Sequence, residues 1–142
     1  MKYSFESLEV WQMSRELVKD VYQVTATFPQ DERFGLTSQL RRSSVSVGSN
    51  IAEGSTRWSK KDQSRFYEIA FGSLIEALNQ LILATDLEFL QENQLTTLRG
   101  KIDHIGRMLN GLYQSAHQQI NKPINSSTHN PINPSTNKPI NP

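Results

Sequence analysis

Seven cations fall between Arg33 and Arg65, namely Arg33, Arg41, Arg42, Arg57, Lys60, Lys61 and Arg65. Glu53 and Asp62 alone oppose them, a local balance of +5. The rest of the chain up to residue 120 carries six basic and twelve acidic residues, a balance of −6. Charge is therefore segregated, although the whole chain carries only +1. The overall balance excludes a protein that coats nucleic acid wholesale, but a local positive field still attracts phosphates. Arginine grips a phosphate with two parallel hydrogen bonds. Trp58 among these cations supplies a ring on which an unpaired base can stack. Asn50 and the hydroxyls of Ser43, Ser44, Ser46 and Ser49 add uncharged hydrogen-bonding groups. Arg41, Arg42, Asn50, Arg57, Trp58, Lys60, Lys61 and Arg65 are the candidate nucleic-acid-binding residues. Ion pairing competes with this reading. Glu53 and Arg57 stand at i,i+4 and can pair with each other, and Trp58 can be a core residue at a helix junction.

Catalysis finds little support. There is no cysteine, which removes disulfides, thiolate metal sites and a thiol nucleophile. The histidines are His104, His117 and His129. A di-iron bundle site needs Glu-x-x-His, yet Lys101 and Gln114 stand three residues before His104 and His117. The glycines are scattered rather than gathered into a phosphate loop. The serines near residue 46 have no histidine in their own segment to act as base. A non-enzyme without metal or cofactor is expected.

The elements that position the basic residues are helices. Residues 1–120 hold a single proline, Pro29, which permits long helices on both sides of it. A first helix is predicted from Ser7 to Phe28, with Leu8, Trp11, Val18, Val21, Tyr22, Thr25 and Phe28 along one face. A second is predicted from Leu36 to Glu53, with Gly54 as a C′ residue at positive φ. It sorts into an apolar stripe (Leu36, Leu40, Ser44, Val47, Ile51), a polar stripe containing Arg42, and a small face of Arg41, Val45, Gly48 and Ala52. Ser59 caps a third helix reaching Leu90, and a fourth runs from Gln94 to His117. Four amphipathic helices with short connections predict an all-α, up-and-down antiparallel four-helix bundle.

The third helix has two apolar seams. One is Phe66, Ala70, Ser73, Ala77, Leu81 and Ala84; the other is Phe71, Ile75, Leu78, Ile82, Thr85 and Phe89. One stripe suffices for a helix in a small bundle, and a bare Phe and Ile seam would be a large apolar patch. Self-association through Phe71, Ile75, Ile82 and Phe89 is the expectation. The alternative is a single wide stripe between both neighbouring helices.

Residues 121–142 change character. They hold five of the six prolines, and Pro-Ile-Asn begins at 123, 131 and 139. One isoleucine per unit cannot stack into a solenoid, so this segment reads as a disordered tail. No apolar run approaches the roughly 20 residues that a membrane helix needs, and the N-terminus lacks the apolar core of a signal peptide. A cytoplasmic protein is expected.

Taken in order, Leu8-Glu-Val-Trp11, Phe28-Pro29, Phe34-Gly-Leu36, Gln39-Leu-Arg-Arg42, Ser49-Asn-Ile-Ala-Glu-Gly54, Arg65-Phe66, Ile69-Ala70 and Gly72-Ser-Leu74 carry a resemblance. The chain resembles the four-helix bundle proteins encoded in intervening sequences of 23S ribosomal RNA genes, over about residues 3–115. The resemblance implies an up-down bundle, with members that assemble as homopentamers. Similar proteins accompany reverse transcriptases of diversity-generating retroelements, which implies RNA or DNA, or a reverse transcriptase, as partner. A nucleic-acid-binding homo-oligomer is the leading expectation, and a protein-interaction module is the alternative. The family pattern usually has small apolar residues where Ser43 and Ser44 stand, and a proline where Gly48 stands.

Overall fold

The structure is a computed structural model, and it describes residues 1–120; the expected tail lies outside the described residues. A 3-10 turn at Ser4–Ser7 leads into α1 (Glu9–Thr25). A second 3-10 turn, Gln30–Glu32, precedes α2 (Leu36–Ser55), which is followed by α3 (Lys60–Asp86) and α4 (Glu92–Ile120). Each helix packs on its two neighbours in a closed square, while α1 and α3, like α2 and α4, do not meet. The all-α four-helix bundle is as the sequence predicts.

Local chemistry sets the helix ends. Ser59 caps α3, its Oγ accepting from the Asp62 N–H at 3.1 Å. α3 stops at Asp86, four residues before the predicted Leu90. There the Phe89 N–H donates to the Ala84 carbonyl at 2.9 Å and the Glu88 N–H to Thr85 at 3.0 Å. This is a Schellman closure, with Glu88 rather than a glycine at φ 65°. Phe89 thereby folds back to meet Phe28, ring centroids 5.8 Å apart. α4 begins two residues early, because the Gln94 side chain reaches back to the Gln91 N–H at 2.9 Å. The α1 core stripe is Val10, Ser14, Leu17, Val21 and Thr25. Trp11, Val18 and Tyr22, which the sequence reading placed in that stripe, sit beside it with more exposure.

Both α3 seams are used within one chain. Ser73, Gln80 and their neighbours face α2, where Ser43 Oγ donates to Gln80 Oε1 at 2.7 Å and Ser46 and Ser73 share a 2.8 Å hydrogen bond. Phe71 is 5% exposed and faces α4, where a Cβ on Gly106 would stand 3.5 Å from its ring. Ile75, Ile82 and Phe89 are half-buried against the same core. The seam of Phe71, Ile75, Ile82 and Phe89 is therefore not surplus. α3 contacts two helices and needs a stripe wide enough for both, so this seam leaves no surplus apolar surface that calls for a second copy.

Gly54 also departs from expectation. It lies inside α2, and among the described residues no glycine has positive φ. Its role is close approach, since a Cβ there would lie 2.8 Å from Phe66 Cβ and 3.0 Å from the Tyr67 ring. Gly54→Ala is expected to lower stability by about 1–3 kcal/mol through overpacking. Gly100→Ala, on an open helical surface with nothing within 4 Å, is expected to raise stability by about 0.5–1 kcal/mol. Urea unfolding of the two variants checks this, and a stabilised Gly54→Ala protein overturns it.

Burial pushes the Tyr67 phenol above its ordinary value near 10. The unfolded chain ionises this phenol first, so the stability it supplies is intact below pH 10 and lost as pH climbs toward the raised folded value. Tyr67→Phe should flatten the alkaline decline in denaturant midpoint. Equal slopes in both proteins would show that the phenol contributes nothing there.

Candidate nucleic-acid interface

The α2–α3 turn gathers five of the eight predicted residues. Its backbone is pinned from both helices: the Arg57 N–H donates to the Gly54 carbonyl at 3.2 Å, and Gln63 Nε2 donates to the Arg57 carbonyl at 3.1 Å. With Gly54 seated on Phe66 and Tyr67, the turn cannot fold inward, and Trp58 is left 102% exposed. An indole with no packing partner on a rigid turn is unusual, because Trp is highly buried on average. The core-residue alternative for Trp58 fails.

Around that indole the cations are organised by a ring. The Arg57 guanidinium lies over Phe66 at 4.4 Å and that of Arg65 at 5.8 Å. Such contacts fix the planes of the two guanidinium groups while leaving nitrogen edges to solvent. Lys60 Nζ donates to Gln63 Oε1 at 3.1 Å, and Lys61 is exposed. The first turn of α3 adds little to this field, because Ser59 Oγ takes the Asp62 N–H and the Asp62 carboxylate offsets the positive helix end. Glu53 pairs with Arg57 at 3.8 Å, both side chains well exposed. An exposed pair of this kind is worth at most about 1 kcal/mol, so a phosphate can displace it. Among the described residues, no other carboxylate lies within 4.0 Å of a cation of the basic segment.

Three predicted residues are elsewhere. Arg41 turns toward α1, its Nε donating to Thr25 Oγ1 at 2.8 Å and its guanidinium lying over Tyr22 at 4.4 Å. Arg42, one residue on, points toward α3 and lines a groove of about 390 Å³ with Gln39, Ser43, Ser46 and Glu76. Arg42 and Arg57 are 15 residues apart, about 22 Å along the helix axis. Asn50 spends its amide nitrogen on Ser46, at 2.8 Å to the carbonyl and 3.0 Å to Oγ. One basic segment thus becomes two separate regions, because a helix carries its residues apart. Phe66 is the residue that sequence reasoning missed. Its place in a helical seam suggested core, whereas the adjacent Arg65 was the available signal.

The serines offer no activated nucleophile. Ser44 and Ser49 donate to their own helix carbonyls, and Ser43 and Ser46 bond across to α3. His104 is exposed, and His117 stacks on Tyr113 at 5.3 Å. Among the described residues no group of three or more potential metal ligands is present, and no helix is long and apolar enough to cross a membrane. What the turn presents is a cluster of exposed cations and one exposed aromatic plane.

Comparison with known proteins agrees on architecture. A crystal structure of a protein of unknown function from the S23 ribosomal protein family of Bacteroides thetaiotaomicron is 22% identical, with a TM-score of 0.68. The alignment covers 73% of this chain and 97% of that one, and at this identity it speaks to the fold alone. No curated protein matches the chain. The family model for the 23S rRNA-intervening sequence protein matches residues 6–111, from ahead of α1 to deep within α4, and the chain belongs to that family.

Proposed function

We propose that this protein is a non-catalytic, homo-oligomeric bundle that binds single-stranded RNA through its α2–α3 turn. The observation that carries the reading is the bare Trp58 indole set among Arg57, Lys60, Lys61 and Arg65 on a rigid turn. A base stacks on the indole while its flanking phosphates meet the cations. Arg42, Asn50 and Arg41 lie outside this contact. Homo-oligomerisation rests on the family resemblance. A ring would repeat the turn once per subunit, and multivalency would then strengthen attachment without a new kind of contact.

Salt dependence tests the reading. Each phosphate contact contributes about 0.7 to the slope of log affinity against log salt for single strands, so four cations predict a slope of about −3. The triple variant Lys60→Ala, Lys61→Ala, Arg65→Ala should bring the slope to about −1. Trp58→Ala should cost roughly 1–3 kcal/mol with little change of slope. All four side chains are exposed, so circular dichroism should show both variants folded. Unaltered RNA retention in both overturns the proposal. A salt-insensitive association with a protein instead of RNA would place the chain among protein-interaction modules. Light scattering reads the assembly, and a mass of one 16.2 kDa chain removes the oligomer.

A further inference from the structure

The face formed by α1 and α2 carries cations of its own. A groove of about 500 Å³ runs between the two helices, floored by Trp11, Val18, Val45 and Gly48 and edged by Arg15 and Lys19. Its volume falls within the range of sites that hold small organic groups. Gly48 lets α1 and α2 approach closely at the floor, since a Cβ there would stand 2.7 Å from Ser14 Oγ. No carboxylate lines the groove. Arg15 lies over the Trp11 ring at 4.9 Å with no acidic partner among the described residues. Lys19 has only an exposed pair with Glu16 at 3.5 Å.

Arg41 stands one helical turn from Val45, beyond the end of this groove. Its Nε is occupied by Thr25 and one face by Tyr22, while its two terminal nitrogens have no partner among the described residues. A guanidinium already fixed at Nε loses little freedom on binding. The edge it leaves open is the fork that matches a phosphate.

We propose that the α1–α2 groove is a second nucleic-acid site, in which Arg41 and Arg15 hold phosphates of a single strand and one base lies over Val18, Val45 and Gly48. Charge complementarity selects an anionic strand: the rim is cationic and the lining lacks acid. The two guanidinium–ring pairs, Arg41 with Tyr22 and Arg15 with Trp11, favour planar bases over a peptide. The site shares with the turn the reading that the ligand is nucleic acid, but it uses none of the turn's residues.

The two tryptophans report the two places separately, Trp11 in the groove and Trp58 on the turn. The full chain, carrying fluorine-labelled tryptophan, is titrated with a ten-nucleotide single-stranded RNA and observed by fluorine NMR, with Trp58→Phe assigning the signals. The groove predicts that the Trp11 signal shifts. Arg41→Lys should weaken that response about tenfold, the loss of a charge-assisted hydrogen bond. Val45→Glu, on an exposed position, should abolish it while circular dichroism shows the fold retained. A shift of Trp58 alone overturns the groove and leaves the turn standing, and a shift of Trp11 alone does the reverse. Neither signal moving removes both. A poly-glutamate peptide that shifts Trp11 as strongly as the RNA overturns the assignment of the ligand.

Discussion

Close approach between α2 and α3 governs this molecule, and small side chains are what permit it. Along α2, Ser43, Ser46 and Gly54 meet Gln80, Ser73 and the Phe66–Tyr67 pair on α3. Two helices separated by large side chains would leave room for Trp58 to fold beneath the connecting turn. Here Phe66 and Tyr67 fill the space directly under Gly54, so the indole is expelled. The same placement puts the Phe66 ring where Arg57 and Arg65 reach it from opposite ends of the turn. The exposed aromatic and its ordered cations are thus consequences of how tightly the two helices meet beside the turn.

This interface is more polar than a bundle core requires. Ser43 is 4% exposed, Ser44 0% and Gln80 4%, and each such group is costly to bury without a partner. The structure meets that demand: Ser43 bonds Gln80, Ser44 bonds the Arg41 carbonyl, and Gln80 reaches Glu76 at 3.4 Å. The family resemblance leads one to expect small apolar residues at positions 43 and 44. In this chain the serine at 43 is matched across the interface by a glutamine of α3, so the departure is compensated rather than merely tolerated. A satisfied polar pair also fixes helix register, because sliding one helix by a turn would strand both members.

What could be read in the sequence follows from physics that acts locally. Helix number and order were legible because apolar spacing and a lone proline are local signals, and the Ser59 cap was visible for the same reason. The wide stripe of α3 was visible too, yet its meaning was not. Period alone cannot say whether Phe71 and Ile75 face a second copy or α4; only the four-sided packing decides. Gly54 misled in the same way: near a helix end a glycine ordinarily signals positive φ, whereas here it answers to Phe66, twelve residues on. The site was half legible. Trp58 and its neighbouring cations were found because they are adjacent in sequence, but the ring under Arg57 and Arg65 stands in an apolar seam of α3 and so read as core.

The basic segment shows most clearly why sequence adjacency and spatial adjacency diverge. Arg41 and Arg42 are consecutive, yet a rotation of about 100° per residue sends one to Tyr22 on α1 and the other toward Glu76 on α3. The pair and the turn then lie about 22 Å apart along α2, more than twice the roughly 8 Å over which physiological salt screens charge. At that separation the two regions do not reinforce one another's field. A small anion meets each as an isolated site, and only a polyanion long enough to span the helix can draw on both. Segregating charge in the sequence therefore does not by itself build one electrostatic surface. The helix divides that charge, and extended ligands are the class for which the division matters least.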